Sequence, residues 1–295
     1  MLQQVLHGAC GVARQAPGHG DFGGLVDLLQ AVTHQHAIGL VQAAGVGHQF
    51  GQPPRVGVAH AQRAHPAFAV GQIDPARFTP NAQYYFNPGA LADYRASLST
   101  PAGAKARDYL ASRRFDAHTM ERFGFGYAPA ARQALKAALA QFDEAMLIEA
   151  GLRIAVDDKE PYDRFRDRLT MPIHDARGRV IGFAARILDA DKKDAPKYIN
   201  SPDTPLFDKG RTLFNLHRAG PASRKSGRLV VVEGQMDVVA MAAAGFEDAV
   251  APMGTALTER QLEMLWRLVD APILCFDGDN AGQRAAMRAI GRALP

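Results

Sequence analysis

The chain has 295 residues, a formal charge of +4 and a pI near 9.1, a length that suits two domains each with its own core. Its mild basicity is compatible with a polyanionic partner without requiring one. Two cysteines, Cys10 and Cys275, exclude a disulfide scaffold; with no basic-then-apolar leader and no run of about 18 apolar residues, the chain reads as cytoplasmic, neither secreted nor membrane-spanning.

Residues 1–81 differ from the rest and stay unassigned. No lysine precedes Lys105, no glutamate precedes Glu121, and seven of the ten histidines lie between His7 and His65. Three readings compete: a metal site nucleated on His34-x-His36, scattered histidines without a site, or a stretch that is not a native coding segment. The first lacks standard ligand spacing. Leu25–Leu29 and Ala37–Ala44 are expected as short helices in a poorly ordered region.

From Tyr85 the pattern turns globular. Helices are expected over Ala104–Ser112, Asp116–Phe123 and Gln133–Phe142, with Arg113-Arg114 between the first two. Leu169–Ile173 and Arg179–Ile187 read as strands of a hairpin turning at Asp175-Ala176-Arg177-Gly178. Arg164, Arg166 and Arg168 alternate, so an extended backbone would present all three from one face towards phosphates. A solvated edge strand blunted by charge is the plain alternative. Tyr198 beside Lys197 is placed to stack on a base or to anchor packing. His174 and His217 read as structural or surface residues. Polar Ser223–Gly227 marks the junction between a mixed α+β region (82–225) and an α/β region (226–295).

In that second region Leu229–Val232, Asp248–Ala251 and Ile273–Phe276 read as strands. They alternate with helices over Met236–Ala244, Glu259–Val269 and Ala281–Arg292, which implies a parallel sheet with right-handed crossovers. Thr258 and Gln261 form a capping box, and Leu262, Leu265, Trp266 and Val269 a core-facing stripe. Cys275 reads as a buried free thiol. The first strand ends in Glu233-Gly234-Gln235-Met236-Asp237 and the third in Asp277-Gly278-Asp279. Both acidic turns therefore sit where a strand gives way to a helix, the edge at which open parallel sheets bind ligands. Adjacent glycines permit sharp turns, and Asp277 and Asp279, two apart, can point the same way. Carboxylates so clustered call for a hard divalent cation with phosphate oxygens.

Glu233-Gly234 with Met236-Asp237, then Asp277-Gly278-Asp279 with Ala281-Gly282, resembles the Toprim fold of bacterial DNA primases, type IA and II topoisomerases and some nucleases. Upstream, Phe123-Gly124-Phe125-Gly126-Tyr127-Ala128-Pro129, Arg164–Arg168, Pro172-Ile173, Gly178–Phe183, Arg186, Pro196-Lys197-Tyr198, Asn200-Ser201-Pro202 and Lys209-Gly210-Arg211 are similar, in order and spacing, to the DnaG-type primase catalytic core. The likeness runs from about residue 82 to the last.

The resemblance implies RNA primer synthesis on a single-stranded DNA template from ribonucleoside triphosphates during replication. It makes Asp237, Asp277 and Asp279 ligands of Mg²⁺ or Mn²⁺, and Glu233 a metal-organising carboxylate or general base. Arg164, Arg166, Arg186, Lys197 and Lys209 would line the groove for template and incoming nucleotide. In the intact family the replicative helicase is a partner. Departures are also visible: Gln235 stands where the family has tyrosine, and Cys10 alone cannot supply the expected zinc site. The further Asp-x-Asp pair, helical subdomain and helicase-binding domain would follow Pro295. The expectation is a truncated catalytic core of impaired activity. The rivals are a non-catalytic nucleic-acid-binding remnant or another Toprim nuclease or topoisomerase.

Overall fold

The computed structural model describes residues 38–42, 83–189, 195–254 and 256–293. His34-x-His36 and the expected helix Leu25–Leu29 lie outside the described residues. Ile38–Gln42 is a strand, β1, rather than part of a helix, and pairs antiparallel along Ile273–Asp277. Its alternating apolar residues suit the extended period of two as well as the helical one.

The first region opens with α1 (Gln83–Ser99), which runs through Pro88 and which the sequence reading missed. α2 (Ala104–Ser112) and α3 (Ala117–Phe123) follow as expected. Asp116 caps α3 by accepting from the Thr119 N–H at 2.7 Å, and Gly124 ends it in the left-handed conformation (φ 64°). After β2 (Gly126–Ala128), the expected helix Gln133–Phe142 is confined to α4 (Ala134–Ala138). Next come α5 (Glu144–Glu149) and a hairpin of β3 (Arg153–Val156) and β4 (Lys159–Asp163), none of them foreseen. β5 (Arg168–His174), β6 (Val180–Ile187) and β7 (Tyr198–Asn200) complete an antiparallel sheet in the order β2-β5-β6-β7.

This sheet is a middle layer. Phe183 and Ala185 pack with Phe165, Tyr94, Leu135 and Leu147 towards α1, α4 and α5. Leu169, Met171 and Ile173 face the other way, into a cluster shared with the second region. Burying a side chain such as Phe165 or Phe183 contributes roughly 1.5–3 kcal/mol.

The second region begins with β8 (Leu213–Phe214) and α6 (Leu216–Ser226). Of the expected junction Ser223–Gly227, Ser223–Ser226 form the last turn of α6 and Gly227 is its left-handed cap (φ 67°). Polarity there reflects one exposed helix face carrying Arg224 and Lys225, not a break in structure. β9 (Val230–Val232), α7 (Gln235–Ala243), β10 (Ala249–Pro252), α8 (Glu259–Trp266), β11 (Ile273–Asp277) and α9 (Asn280–Ala293) alternate as read from the sequence. β9 pairs parallel with β10 and β11, and antiparallel β1 and β8 close the edges in the order β1-β11-β9-β10-β8.

Both faces of the parallel strands are covered, hence their continuous apolar runs. Val231, Val250, Leu274 and Phe276 pack on one side with Leu262 and Leu265 of α8 and Ala286 and Ala289 of α9. Val230, Val232, Ala249, Ala251, Ile273 and Cys275 face the other side, with α7 and the first region's Phe125, Leu169 and Met171. Trp266, expected in the core stripe, is 42% exposed because α8 turns it outward. Across the two regions Phe123 stacks on Phe214 with ring centroids 6.5 Å apart, and Asn200 donates to the Met253 carbonyl at 2.8 Å. Arg122 pairs with Glu247.

Candidate active site

The two acidic turns come together at the C-terminal ends of β9 and β11. Glu233 follows β9 and accepts a hydrogen bond from the Asp277 backbone N–H at 3.2 Å, which fastens one turn to the other. Asp237 stands in the first turn of α7 and accepts from the Gly234 N–H at 3.1 Å. Asp279 does not extend β11 beside Asp277, as its two-residue spacing suggests. It lies past the strand and turns to the start of α9, accepting from Ala281 N–H (2.9 Å) and Gly282 N–H (2.8 Å). A short acidic side chain at a helix start satisfies the free amides there, and that local reward outweighs the strand alternation.

The glycine that matters is not beside a carboxylate in sequence. Gly234 has an extended backbone (φ −135°), and Gly278 is not among the positive-φ glycines. Gly282 is the tight one: a Cβ there would sit 2.1 Å from the Asp277 carbonyl oxygen and 2.6 Å from Glu233 Oε1. α9 can begin beneath the acidic turns only because this residue has no side chain.

Burial holds the Glu233 carboxyl above its ordinary pKa, and Asp277, Asp237 and Asp279 push the same way. Burial and then Asp277 raise Asp237, while Arg113 and Lys197 draw it back. Burial, with Asp237 and Asp277 nearby, lifts the Cys275 thiol to about 12, so it stays neutral as expected of a packed cysteine. Glu233, Asp237, Asp277 and Asp279 together form the hard-oxygen donor set that suits Mg²⁺ or Mn²⁺. Among the described residues, however, no three His, Cys, Asp or Glu converge closely enough to enclose an ion. Asp279 facing its own helix accounts for part of that.

Opposite the acids stands a wall of cations and rings. Arg186 of β6 lies directly across the ladder from Tyr198 of β7, its guanidinium 6.0 Å from that ring and 4.0 Å from the ring of Tyr109 on α2. Burial takes the Tyr198 phenol to about 12; neighbouring Tyr109 adds to this and Arg186 opposes it, with Asp237 also felt. Lys197 is exposed, 6.0 Å from the Tyr198 ring. Tyr109 and Arg113, missed as site residues, lie four apart at the end of α2 and so share a face. Their spacing was the available signal, but nothing in it says which face meets the acids.

The alternating arginines do not form one row. Asp167 adopts a left-handed conformation (φ 51°) and β5 starts only at Arg168, so residues 164–167 bend. Arg166 donates to the Asp163 carbonyl at 2.5 Å and lies 4.4 Å over the Tyr162 ring. Arg164 is part-buried, and its Nε has no hydrogen-bond partner. Arg168 is buried and donates to the Pro196 carbonyl at 2.9 Å, holding the loop that carries Lys197. Lys209 sits on a 3-10 turn, Lys209–Arg211, tied to α8: Gln261 Nε2 donates to its carbonyl at 3.0 Å. His174 and His217 are half-buried against each other, ring centroids 4.4 Å apart, away from the acids.

Comparison with known proteins fits this geometry. The family described as DNA primase catalytic core, N-terminal domain, matches residues 93–220, and the Toprim domain matches 227–295. The DNA primase of Salmonella typhimurium is 38% identical over 280 residues, covering 94% of this chain and 46% of that protein. That stretch exceeds the 214 residues from 82 to 295, so the likeness reaches into the first 81. The Escherichia coli K12 DNA primase is 42% identical over 217 residues, 72% of this chain and 36% of its own length. The E. coli primase catalytic core superposes with a TM-score of 0.66 at 42% identity, covering 72% of this chain and 67% of that one. A DnaG primase catalytic domain bound to ssDNA gives 0.65 at 40% identity, covering 73% and 67%. The chain thus spans less than half the length of these curated relatives. Among the described residues no helix is long and apolar enough to cross a membrane. With its acids on a parallel-sheet edge and its cations on an abutting antiparallel sheet, the chain belongs to the DnaG-type DNA primase family, as a catalytic-core N-terminal domain joined to a Toprim domain.

Proposed function

We propose that this chain is a primase catalytic core that binds single-stranded DNA and ribonucleoside triphosphates and forms the phosphodiester bonds of short RNA primers. The observation that carries the reading is that Asp237, clustered with Glu233 and Asp277, meets the charges of Arg113 and Lys197, with Arg186 close by across the ladder from Tyr198. Among the described residues, none of those three cations has a carboxylate within ion-pair distance. Unpaired cations facing mutually repelling acids leave one arrangement that neutralises both: phosphate on the basic side and a divalent cation on the acidic side.

In this role Asp237, Asp277 and Asp279 would hold Mg²⁺ or Mn²⁺. A bound metal would activate the 3′-hydroxyl and shield the triphosphate. The oxygen of that hydroxyl bonds to the α-phosphorus as the bond to pyrophosphate breaks. Glu233, buried and raised, is the group suited to hold the departing proton. Arg186, Lys197, Arg164, Arg166 and Lys209 bind phosphates, and Tyr198 offers a ring on which a base can stack. Work at a replication fork places the chain in the cytoplasm, with the replicative helicase as partner of the full-length protein.

The test is primer synthesis on single-stranded template with NTPs and Mg²⁺, by this chain and by a longer one that includes the sequence following residue 295 in the relatives. Synthesis lost with Glu233→Gln and Asp277→Asn supports the reading, and synthesis indifferent to both overturns it. A non-catalytic binding remnant is the second reading, favoured by the failure of three ligands to converge. DNA binding without any Mn²⁺ binding by either chain would select it.

A further inference from the structure

Arg186 is an odd place for a positive charge. It is only partly exposed, its Nη1 donates to the Ile187 carbonyl at 2.9 Å, and its Nε is buried without a partner. No carboxylate among the described residues lies within ion-pair distance. Besides the bond to Ile187 it shares a hydrogen bond with the Tyr198 side chain, and the face of the guanidinium is held by stacking. The Tyr109 ring lies 4.0 Å from the guanidinium carbon and Tyr198 stands across the ladder at 6.0 Å. A guanidinium keeps its in-plane donors free when a ring covers its face, so stacking and phosphate binding are compatible.

We infer that Tyr109 is a positioning residue: its ring clamps the face of Arg186 so that the guanidinium edge meets a phosphate of a single-stranded nucleic acid. The inference rests on the proposed primase reading and adds a residue that neither charge nor motif points to. Tyr109 belongs to α2, Arg186 to β6, and the clamp therefore also fixes the helix against the sheet. Tyr109 is half-buried and packs against the shared core, with the Arg186 guanidinium over its ring. It touches no phosphate itself and acts through the arginine.

The experiment measures binding of a fluorescein-labelled oligodeoxythymidine by anisotropy across a salt series, with the full chain. Arg186→Ala is expected to weaken binding roughly tenfold and to lower the slope of log affinity against log salt by about one, the loss of one phosphate contact. Tyr109→Leu, which changes no charge, is expected to reproduce most of that loss and the same fall in slope. Tyr109→Phe keeps the ring and should bind like wild type. The double variant Tyr109→Leu/Arg186→Ala should be no weaker than Arg186→Ala alone, since both remove one contact. Should Tyr109→Leu not fold, Tyr109→Met fills similar space without a ring and carries the same expectation. Multiplying losses in the double variant, a Phe variant as weak as Leu, or an Arg186→Ala chain that binds normally would each overturn the inference. If Arg186→Ala binds normally while Arg164→Ala does not, the primase reading survives without the clamp. A wild-type chain that binds no oligodeoxythymidine overturns both.

Discussion

Gly282→Ala and Gly291→Ala, nine residues apart on one helix, should move stability in opposite directions. Both replace a helical glycine, a change that by helix propensity alone favours folding by roughly 0.5–1 kcal/mol. At Gly291 nothing lies within 4 Å of the new Cβ, so that gain should appear undiminished. At Gly282 the Cβ would meet the Asp277 carbonyl oxygen at 2.1 Å, its carbon at 2.8 Å and Glu233 Oε1 at 2.6 Å. Two of those atoms are backbone, so no rotamer change relieves them. Either α9 moves away from β11, or the Glu233–Asp277 hydrogen bond opens. Overpacking of this kind costs about 1–3 kcal/mol or more; less the propensity gain, a net loss of about 2 kcal/mol is expected. At about 2–4 °C per kcal/mol for a chain this size, Tm should fall by roughly 4–8 °C for Gly282→Ala and rise by about 1–4 °C for Gly291→Ala. Calorimetric melts of the two variants and wild type decide it. Equal shifts of the same sign would refute the claim that Gly282 sets how closely helix and acidic turns approach.

Titrating Mn²⁺ calorimetrically should show weak binding by the wild type and none by Asp277→Asn/Asp279→Asn, whereas equal binding would remove the metal assignment. The His174–His217 pair should make folding acid-sensitive. Burial holds His174 near about 4 and His217 near about 3, with each also under the Arg218 charge. A base whose folded pKa is depressed is protonated first in the unfolded chain, so its contribution is intact above pH ~6.5 and lost as pH falls towards the folded values. Partial exposure reduces the limiting slope of about 1.4 kcal/mol per pH unit for each histidine to roughly 1–2 for the pair. His174→Gln/His217→Gln should flatten urea-derived stability between pH 6.5 and 4, and an unchanged profile would remove the pair as its source. Gln261→Leu strands the Lys209 and Thr212 carbonyls and the Thr258 N–H, which Gln261 meets at 3.0, 2.8 and 3.0 Å. It should cost about 3 kcal/mol of unfolding free energy, and a loss below about 1 would mean that water replaces the amide.

What was legible in the sequence was whatever a short stretch decides by itself. The triple valine of β9 and Ile273–Phe276 of β11 are apolar without alternation because both sheet faces are covered, and that pattern is readable. So is the Thr258–Gln261 box, realised with Gln261 N–H donating to Thr258 Oγ1 at 3.1 Å and Thr258 N–H donating to Gln261 Oε1 at 3.0 Å. Readings failed where one local preference hid behind another. Arginine alternation predicted a strand, but Asp167 takes a left-handed turn. Asp277-Gly278-Asp279 looked extended, but Asp279 satisfies a helix start. Ser223–Gly227 was legible as the junction of the two regions, though not as the last turn of α6. α1 escaped because Pro88 and Gly89 lie within it and argue locally against a helix.

The acidic half of the site and its cationic half differ in the same way. Glu233, Asp237, Asp277 and Asp279 belong to two turns, each written within five consecutive residues, and a parallel sheet places such turns side by side whatever else the chain does. The cationic wall has no such unit. Arg113 and Tyr109 come from the end of α2, Arg186 from β6, and Lys197 and Tyr198 from the entry to β7, so the wall is drawn from positions scattered between residues 109 and 198. Their meeting depends on the ladder that sets Arg186 opposite Tyr198 and on the core that presses α2 towards β6. It depends as well on Arg168, whose bond to Pro196 fixes the Lys197 loop from behind. A charge pattern in the chain can name these cations as free to bind phosphate. Only the packing of the antiparallel sheet against the Toprim sheet decides which of them reach the acids, and it brings Arg113 and Lys197 to Asp237 while Arg166 and Arg168 are held by backbone carbonyls.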